Sequence, residues 1–526
     1  MTRPTSQTTR QSKESLKPEN NNMMRIGRPL LAVLCIVFTC PSITCGQVNN
    51  AFNSSRQKVG GKTSVFNQNR VNNFNDYRLN LNTQYERITR NKWKDIGVSE
   101  AIPLPDRDDK PVKPIRISQD DINKNRDQKG KQIDFGDVKK PVQNDTRPNP
   151  IAPVQEVPDN NPEYMSFKYL GTAMQVRAPR NTKLKLAGVS ENAVADGWKQ
   201  LSGSEYNNML VDCMKLRNEQ QLCDWSYLMM LRAVGDAYAG KGTNESTLLM
   251  AFLFSQSGYK IRLGQDNGKL EMLYASKHTL YNQPYYNYNG EKFFTVGKAS
   301  NSIKISAASF PKEQSMSLWV TNVPKCDYTA SAARTLNSER YSDMSIQSEV
   351  NKNLLAFYDS YPTSEVGGNF MTRWAMYANT PMTAKTRDKL YPQLKKAIAG
   401  KSPKEAVERL LNWVQTAFVY EYDDKVWGGD RAFFPEETLY YPYCDCEDRS
   451  ILMSRLVRDL LGLKCILIYY PGHLAMAVNF PENVNGDYIL LQGKKYTITD
   501  PTYIGAPVGM TMPGMDNNKA TVILLD

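Results

Sequence analysis

The stretch CEDRSILMSRLVRDLLG, from Cys446 to Gly462, constrains the fold more than any other part of the chain. Asp445, just ahead of it, is suited to be a helix N-cap, and Asp448 three residues later completes a capping box. Leu452, Leu456 and Leu460 recur at i, i+4 and i+8, so this helix presents one apolar face to a core. Gly462 is placed to stop it. The period then changes. LKCILIYY, the tripeptide Pro471-Gly472-His473, LAMAVNF, the turn PENVNGD and two further strands ending in KYTITDPTY follow. Ahead of the stretch lies a second helix. Ser402 is its N-cap, Pro403 its first residue and Glu405 the capping-box acid, with Val407, Leu410, Leu411, Val414 and Phe418 on one face. A strand, VYEYD, comes next. Helix, strand, helix and then a run of antiparallel-type strands is an α+β pattern.

Cys446 falls at the first helical position. Unpaired backbone N–H groups and the positive end of the helix dipole point at its sulfur, which favours the nucleophilic thiolate. Such a nucleophile needs a base, and the chain has two histidines, His278 and His473. His473 heads the strand after the Pro-Gly bend, so it can return to the helix mouth. Asp500 ends the strand YTITD on the same face as Tyr496 and Ile498. A carboxylate beside an imidazole fixes its tautomer and steadies the imidazolium. Cysteine, histidine and aspartate in this order suit acyl transfer through a thioester. Two other readings of these residues stand beside it. Cys444, Cys446, Cys465 and His473 have the ligand types of a zinc site, although C-x-C is tighter than the usual C-x2-C. Cys444 and Cys446 could also form an oxidative guard disulfide.

CDCEDRSILMSRLVRDLLGL, GHLAMAV and TDPTY, taken together, resemble the transglutaminase-like superfamily, in the form of its bacterial exported members. NWVQTAFVYEYD resembles the helix and strand that precede the cysteine there. The match covers residues 402–505. It implies a papain-like core, a Cys-headed helix packed on an antiparallel sheet, with Cys446 as nucleophile, His473 as base and Asp500 as orienting acid. DCED is the family's usual context, which places the nucleophile at Cys446 rather than Cys444. The resemblance also implies an upstream aromatic near the oxyanion site, for which Trp427 is the candidate. Arg449 departs from the pattern, where a histidine or a small residue is common. No metal and no cofactor are implied.

The chain has 526 residues, a formal charge of +12 and a mean hydropathy of −0.54. It is long enough for several domains and carries much polar sequence. No dense Lys/Arg block with interleaved aromatics occurs, so nucleic acid is not an expected partner. Arg25 and Arg28 precede an apolar run from Leu30 to Cys40, with small residues before Gln47. This is the layout of a secretory signal, and the run is too short to span a membrane. A lipid-modified Cys45 is a poor match to the usual box. Residues 1–46 are therefore read as a signal peptide and 47–101 as a polar, partly helical segment. Residues 102–162 are read as a Pro-rich disordered linker. Residues 163–330 and 331–526 are read as two α+β domains. Spacing cannot pair Cys213, Cys223, Cys326, Cys444 and Cys465.

GTNESTLLMAFLFSQSGYKIRL echoes CEDRSILMSRLVRDLLGLKCIL. Aligning Gly258 with Gly462 sets Gly242 against Cys446. SKHTL, with His278, is matched to PGHLA after a longer insertion, and Gly297 falls near Asp500. The first domain is thus expected to be a degenerate second copy. The expected function is exported, cysteine-dependent acyl transfer on amide bonds, as a peptidase, amidase or transglutaminase, with a protein or peptide substrate. The expected place is the periplasm, the cell surface or the medium. The competing expectation is a non-catalytic transglutaminase-like scaffold at the cell envelope.

Overall fold

Many of the apolar helix faces and alternating strands read from the sequence assemble into a closed barrel and a six-stranded sheet, each backed by a helix. The computed structural model describes residues 76–525, apart from 106–111, 126–129, 143–146, 181–182 and 366. The expected signal at 1–46 lies outside the described residues. The chain is α+β. In the first half a helix α1 (Asn244–Gln256) leads into strands β2 (Ile261–Asp266), β3 (Lys269–Ala275), β4 (Tyr285–Tyr288), β5 (Glu291–Thr295) and β6 (Ser302–Ile305), and β1 (Lys94–Ser99) closes them into a barrel. The barrel order is β1-β6-β2-β3-β5-β4. In the second half come α2 (Pro403–Ala417), α3 (Cys446–Leu461), β7 (Lys464–Tyr470), β8 (His473–Asn479), β9 (Tyr488–Leu491), β10 (Lys494–Thr499) and β11 (Thr521–Leu524). Their order is β9-β10-β8-β7-β11, and every neighbouring pair is antiparallel.

The first-half order β4-β5-β3-β2-β6 repeats this, strand for strand and with the same antiparallel pairing. The register agrees as well. The hairpin β7–β8 closes on Tyr470 opposite His473, and β2–β3 closes on Asp266 opposite Lys269. Gly462 and Gly258 precede the two hairpins at the same separation in the chain. This corrects one expectation. No insertion separates the two hairpins from their helices, so Lys269, not His278, occupies the place of His473. His278 lies beyond the far end of β3.

Both glycines have positive φ, +98° at Gly258 and +66° at Gly462, yet their surroundings differ. A Cβ at Gly258 would overlap Asn149 O, whereas one at Gly462 meets nothing within 4 Å. Gly462→Ala is expected to cost about 1–2 kcal/mol, the left-handed penalty alone. Gly258→Ala is expected to cost at least about 1–3 kcal/mol more, because backbone must also move. Urea unfolding of the two variants checks the contrast.

The described residues of the stretch read as a disordered linker include bound chain. Val112 N donates to Gly472 O at 2.9 Å, Ile504 N to Ile115 O at 2.9 Å and Ile133 N to Tyr488 O at 2.8 Å. Asp137–Lys139 forms a strand pairing in parallel with β11, so the second sheet has six strands. Ile133 and Ala152 are buried. A composition argument weighs a segment's ordering entropy against its own burial. Here a few apolar residues are buried against a surface that other segments supply, and the sheet edge supplies backbone partners. One continuous hydrophobic core runs through both halves, across the expected boundary at 330/331.

The region 340–400, mixed in sequence, holds helices Lys352–Asp359, Thr372–Asn379 and Ala384–Ile398. MSLWVTNV, whose alternating apolar residues suit a strand, is extended chain with a single bridge from Met316 to Ser276. Among the described residues, no helix is long and apolar enough to cross a membrane.

Candidate functional site

The N-terminus of α3 is built as its sequence indicates. The Asp445 carboxylate accepts from Glu447 N at 3.2 Å, and Asp448 accepts from Asp445 N at 3.2 Å, closing the capping box. Asp448 also accepts from Phe433 N at 2.8 Å, which fixes the approaching chain. Cys446 is the first helical residue and is 3% exposed. One turn further on, Ser450 Oγ donates to Leu474 O at 2.8 Å. That bond sets the start of α3 beside the start of β8, where His473 stands.

His473 and Asp500 meet. Nε2 of His473 lies 2.9 Å from Oδ2 of Asp500. The other carboxylate oxygen accepts from Thr502 N at 2.8 Å and Tyr503 N at 3.2 Å, so the turn after β10 wraps its own acid. His473 is 1% exposed, and its Nδ1 has no hydrogen-bond partner. With Nε2 held by Asp500, Nδ1 is the nitrogen left for chemistry. The Cys446 thiol donates instead to Glu447 Oε2 at 3.1 Å. His473 and Asp500 are thus paired as the sequence indicates, while the sulfur is turned to a neighbouring carboxylate.

That carboxylate belongs to a crowd the sequence reading did not single out. Ligand atoms of Asp423, Asp430 and Glu447 lie within 4.8 Å of one another, as do those of Asp423, Asp445 and Asp448, and those of Asp445, Cys446 and Glu447. These are the groups that could hold a cation. Burial, reinforced by the neighbouring carboxylates, raises the Asp445 and Asp448 carboxyls well above the ordinary range. The signal was present in the acid run of DCED and in the acids after VYEY, which a strand reading passes over. Charge on Glu447 opposes a second negative charge on the sulfur. Glu447→Gln is therefore expected to speed alkylation of Cys446 at pH 7 by roughly tenfold, measured as the loss of free thiol against time.

Trp427, the oxyanion candidate, sits among aromatic side chains. Its ring packs edge-on against Phe433 and Tyr441 under the Arg431 guanidinium. The four residues of the zinc reading are not gathered. Cys465 pairs with Val478 and His473 with Tyr470, at opposite ends of one hairpin. Cys213, Cys223, Cys326, Cys444 and Cys465 are all free thiols, so the guard disulfide is not formed. Burial pushes each of them up, Cys444 to about 11, Cys223, Cys326 and Cys465 to about 12, and Cys213 further.

No protein-family model, curated protein or solved structure matches this chain.

Proposed function

We propose that this chain is an exported cysteine-dependent acyl-transfer enzyme acting on amide bonds, of transglutaminase-like type with a papain-like core. The observation that carries the reading is the buried His473–Asp500 pair. Its ring nitrogen Nδ1 is left open beside a cysteine-headed helix. In the proposed cycle the Cys446 sulfur leaves Glu447 and gives its proton to Nδ1. It attacks an amide carbonyl, and the Cys446 backbone N–H at the helix start is the candidate donor to the oxyanion. The imidazolium, steadied by Asp500, returns the proton to the leaving amine and a thioester remains. Water then yields the acid, or a second amine yields a new amide. The substrate is a protein or peptide. Export to the periplasm, cell surface or medium rests on residues 24–47 alone.

The first half is proposed to be a copy of the same unit that has lost the chemistry. Its strand order and register repeat the second half's, while Gly242, Lys269 and Gly297 stand where Cys446, His473 and Asp500 stand. One observation favours the scaffold reading instead. The Cys446 thiol is bonded to Glu447 rather than to His473.

Thiol chemistry separates the two. Limiting iodoacetamide on the reduced native protein is expected to label Cys446 ahead of the other five described cysteines, and His473→Ala is expected to remove that preference. Labelling of Cys446 no faster than Cys444 would sink the enzyme reading.

A further inference from the structure

The triad reading leaves unexplained a polar side chain on the apolar stripe of α2. Gln415 lies four residues after Leu411 and is 2% exposed. Its Nε2 donates to three carbonyls of the turn that follows β10, Asp500 O at 3.0 Å, Tyr503 O at 2.7 Å and Ala506 O at 3.1 Å. Its Oε1 accepts from Gly505 N at 3.1 Å. One amide thus holds four points of a seven-residue loop with no regular structure, and that loop carries the carboxylate facing His473.

Gln415 is itself anchored to the helix that carries the cysteine. Arg449, one turn on from Cys446 and 1% exposed, donates to Gln415 O at 3.1 Å and to Phe418 O at 2.7 Å. Both carbonyls belong to the last turn of α2 and the residue that ends it, where helical acceptors lack intrahelical partners. Arg449 and Gln415 together link α3 to the Asp500 turn through α2.

We propose that Gln415 is a positioning residue for Asp500, and through it for His473, with Arg449 fixing its backbone to the Cys446 helix. The proposal rests on the triad reading only for what the positioning serves. Asp500 must present one oxygen to Nε2 while its main chain is held elsewhere. Gln415 holds that main chain, so the carboxylate has no freedom to swing. The contacts of Arg449 give its departure from the family pattern a role.

The test uses the full chain, labelled with nitrogen-15. Two histidines make the imidazole spectrum simple, and His473→Ala assigns the ring N–H signal that Asp500 holds. In Gln415→Met, which keeps the length and loses every hydrogen bond, this N–H is expected to exchange with water at least tenfold faster. The His278 signals are expected to stay in place. In Gln415→Glu the carboxylate cannot donate at pH 8, so exchange is fast. At pH 5 the protonated carboxyl can donate again, and the exchange rate, taken as a ratio to the wild type at the same pH, is expected to fall back towards one. If the methionine variant does not fold, the glutamate variant at the two pH values decides. An unchanged His473 exchange rate, equal loosening of both histidines, or a glutamate variant whose rate relative to the wild type is the same at pH 5 as at pH 8 would overturn the proposal. Faster exchange at His473 alone, in a protein whose parent Cys446 proves inert, would uphold the positioning and remove the acyl-transfer reading.

Discussion

Amide turnover by the Asp500→Asn protein is expected to fall by about 10²–10⁴-fold while the fold survives. Asn at 500 can still accept the backbone N–H groups of Thr502 and Tyr503, which the carboxylate now holds at 2.8 and 3.2 Å. The turn therefore stands. What changes is the face toward His473. An amide N–H set against Nε2 makes that nitrogen the acceptor and moves the ring proton to Nδ1. In the proposed cycle Nδ1 takes the thiol proton, so the imidazole is then present in the wrong tautomer. His473→Ala removes the base altogether and is expected to cost at least as much, and Cys446→Ala to abolish turnover. The thermal melt of each variant, read beside turnover of a panel of peptide amides, separates lost chemistry from lost structure. Full activity in the folded Asn variant would mean that Asp500 takes no part.

The second large effect is on stability and comes from the other histidine. His278 is 5% exposed, and its two ring nitrogens lie 3.2 Å from Ser364 Oγ and 3.4 Å from Ser317 Oγ. Burial, with a smaller contribution from the Lys277 charge, lowers it to about 4. In the unfolded chain a histidine titrates near 6.5. Between these two values the unfolded chain binds more protons than the folded one, so stability falls as pH drops from about 6.5 to 4. The loss is about 3 kcal/mol on the relation of 1.36 kcal/mol per unit. Urea unfolding of the wild type and of His278→Gln across this range checks it. The variant is expected to lack this component of the slope. A wild-type slope that survives in His278→Gln would overturn the assignment to His278, because the buried carboxyls, raised by burial, contribute with the opposite sign.

Local signals were read well where a single residue's chemistry decides the outcome. Asp445, Asp448 and Gly462 bound α3 as their side chains dictate, and Ser402 with Glu405 starts α2. Strand alternation located β7, β8 and β10, and with them His473 and Asp500. Contacts made at a distance were not legible. Nothing local to Ile133 or Val138 says that Tyr488 waits for the one and a strand near residue 521 for the other, and the prolines around them argue for free chain. Glu447 was hidden because a capping run explains its acidity without reference to the sulfur. Gln415 did leave a trace, a polar residue on an apolar stripe, whose partners lie in a loop with no periodic pattern. His278 misled because it shares only its residue type with His473, and the hairpin register, visible only in the pairing, gives the equivalent place to Lys269.

The pairing of Asp137–Lys139 with β11 bears on how this protein assembles. The ribosome makes this border strand early, and its partner arrives only after nearly all the intervening chain. Closing so long a loop is slow, and until it closes β11 has a bare side. A fragment begun at residue 331 would keep that side bare permanently, inviting edge-to-edge pairing with another copy of itself.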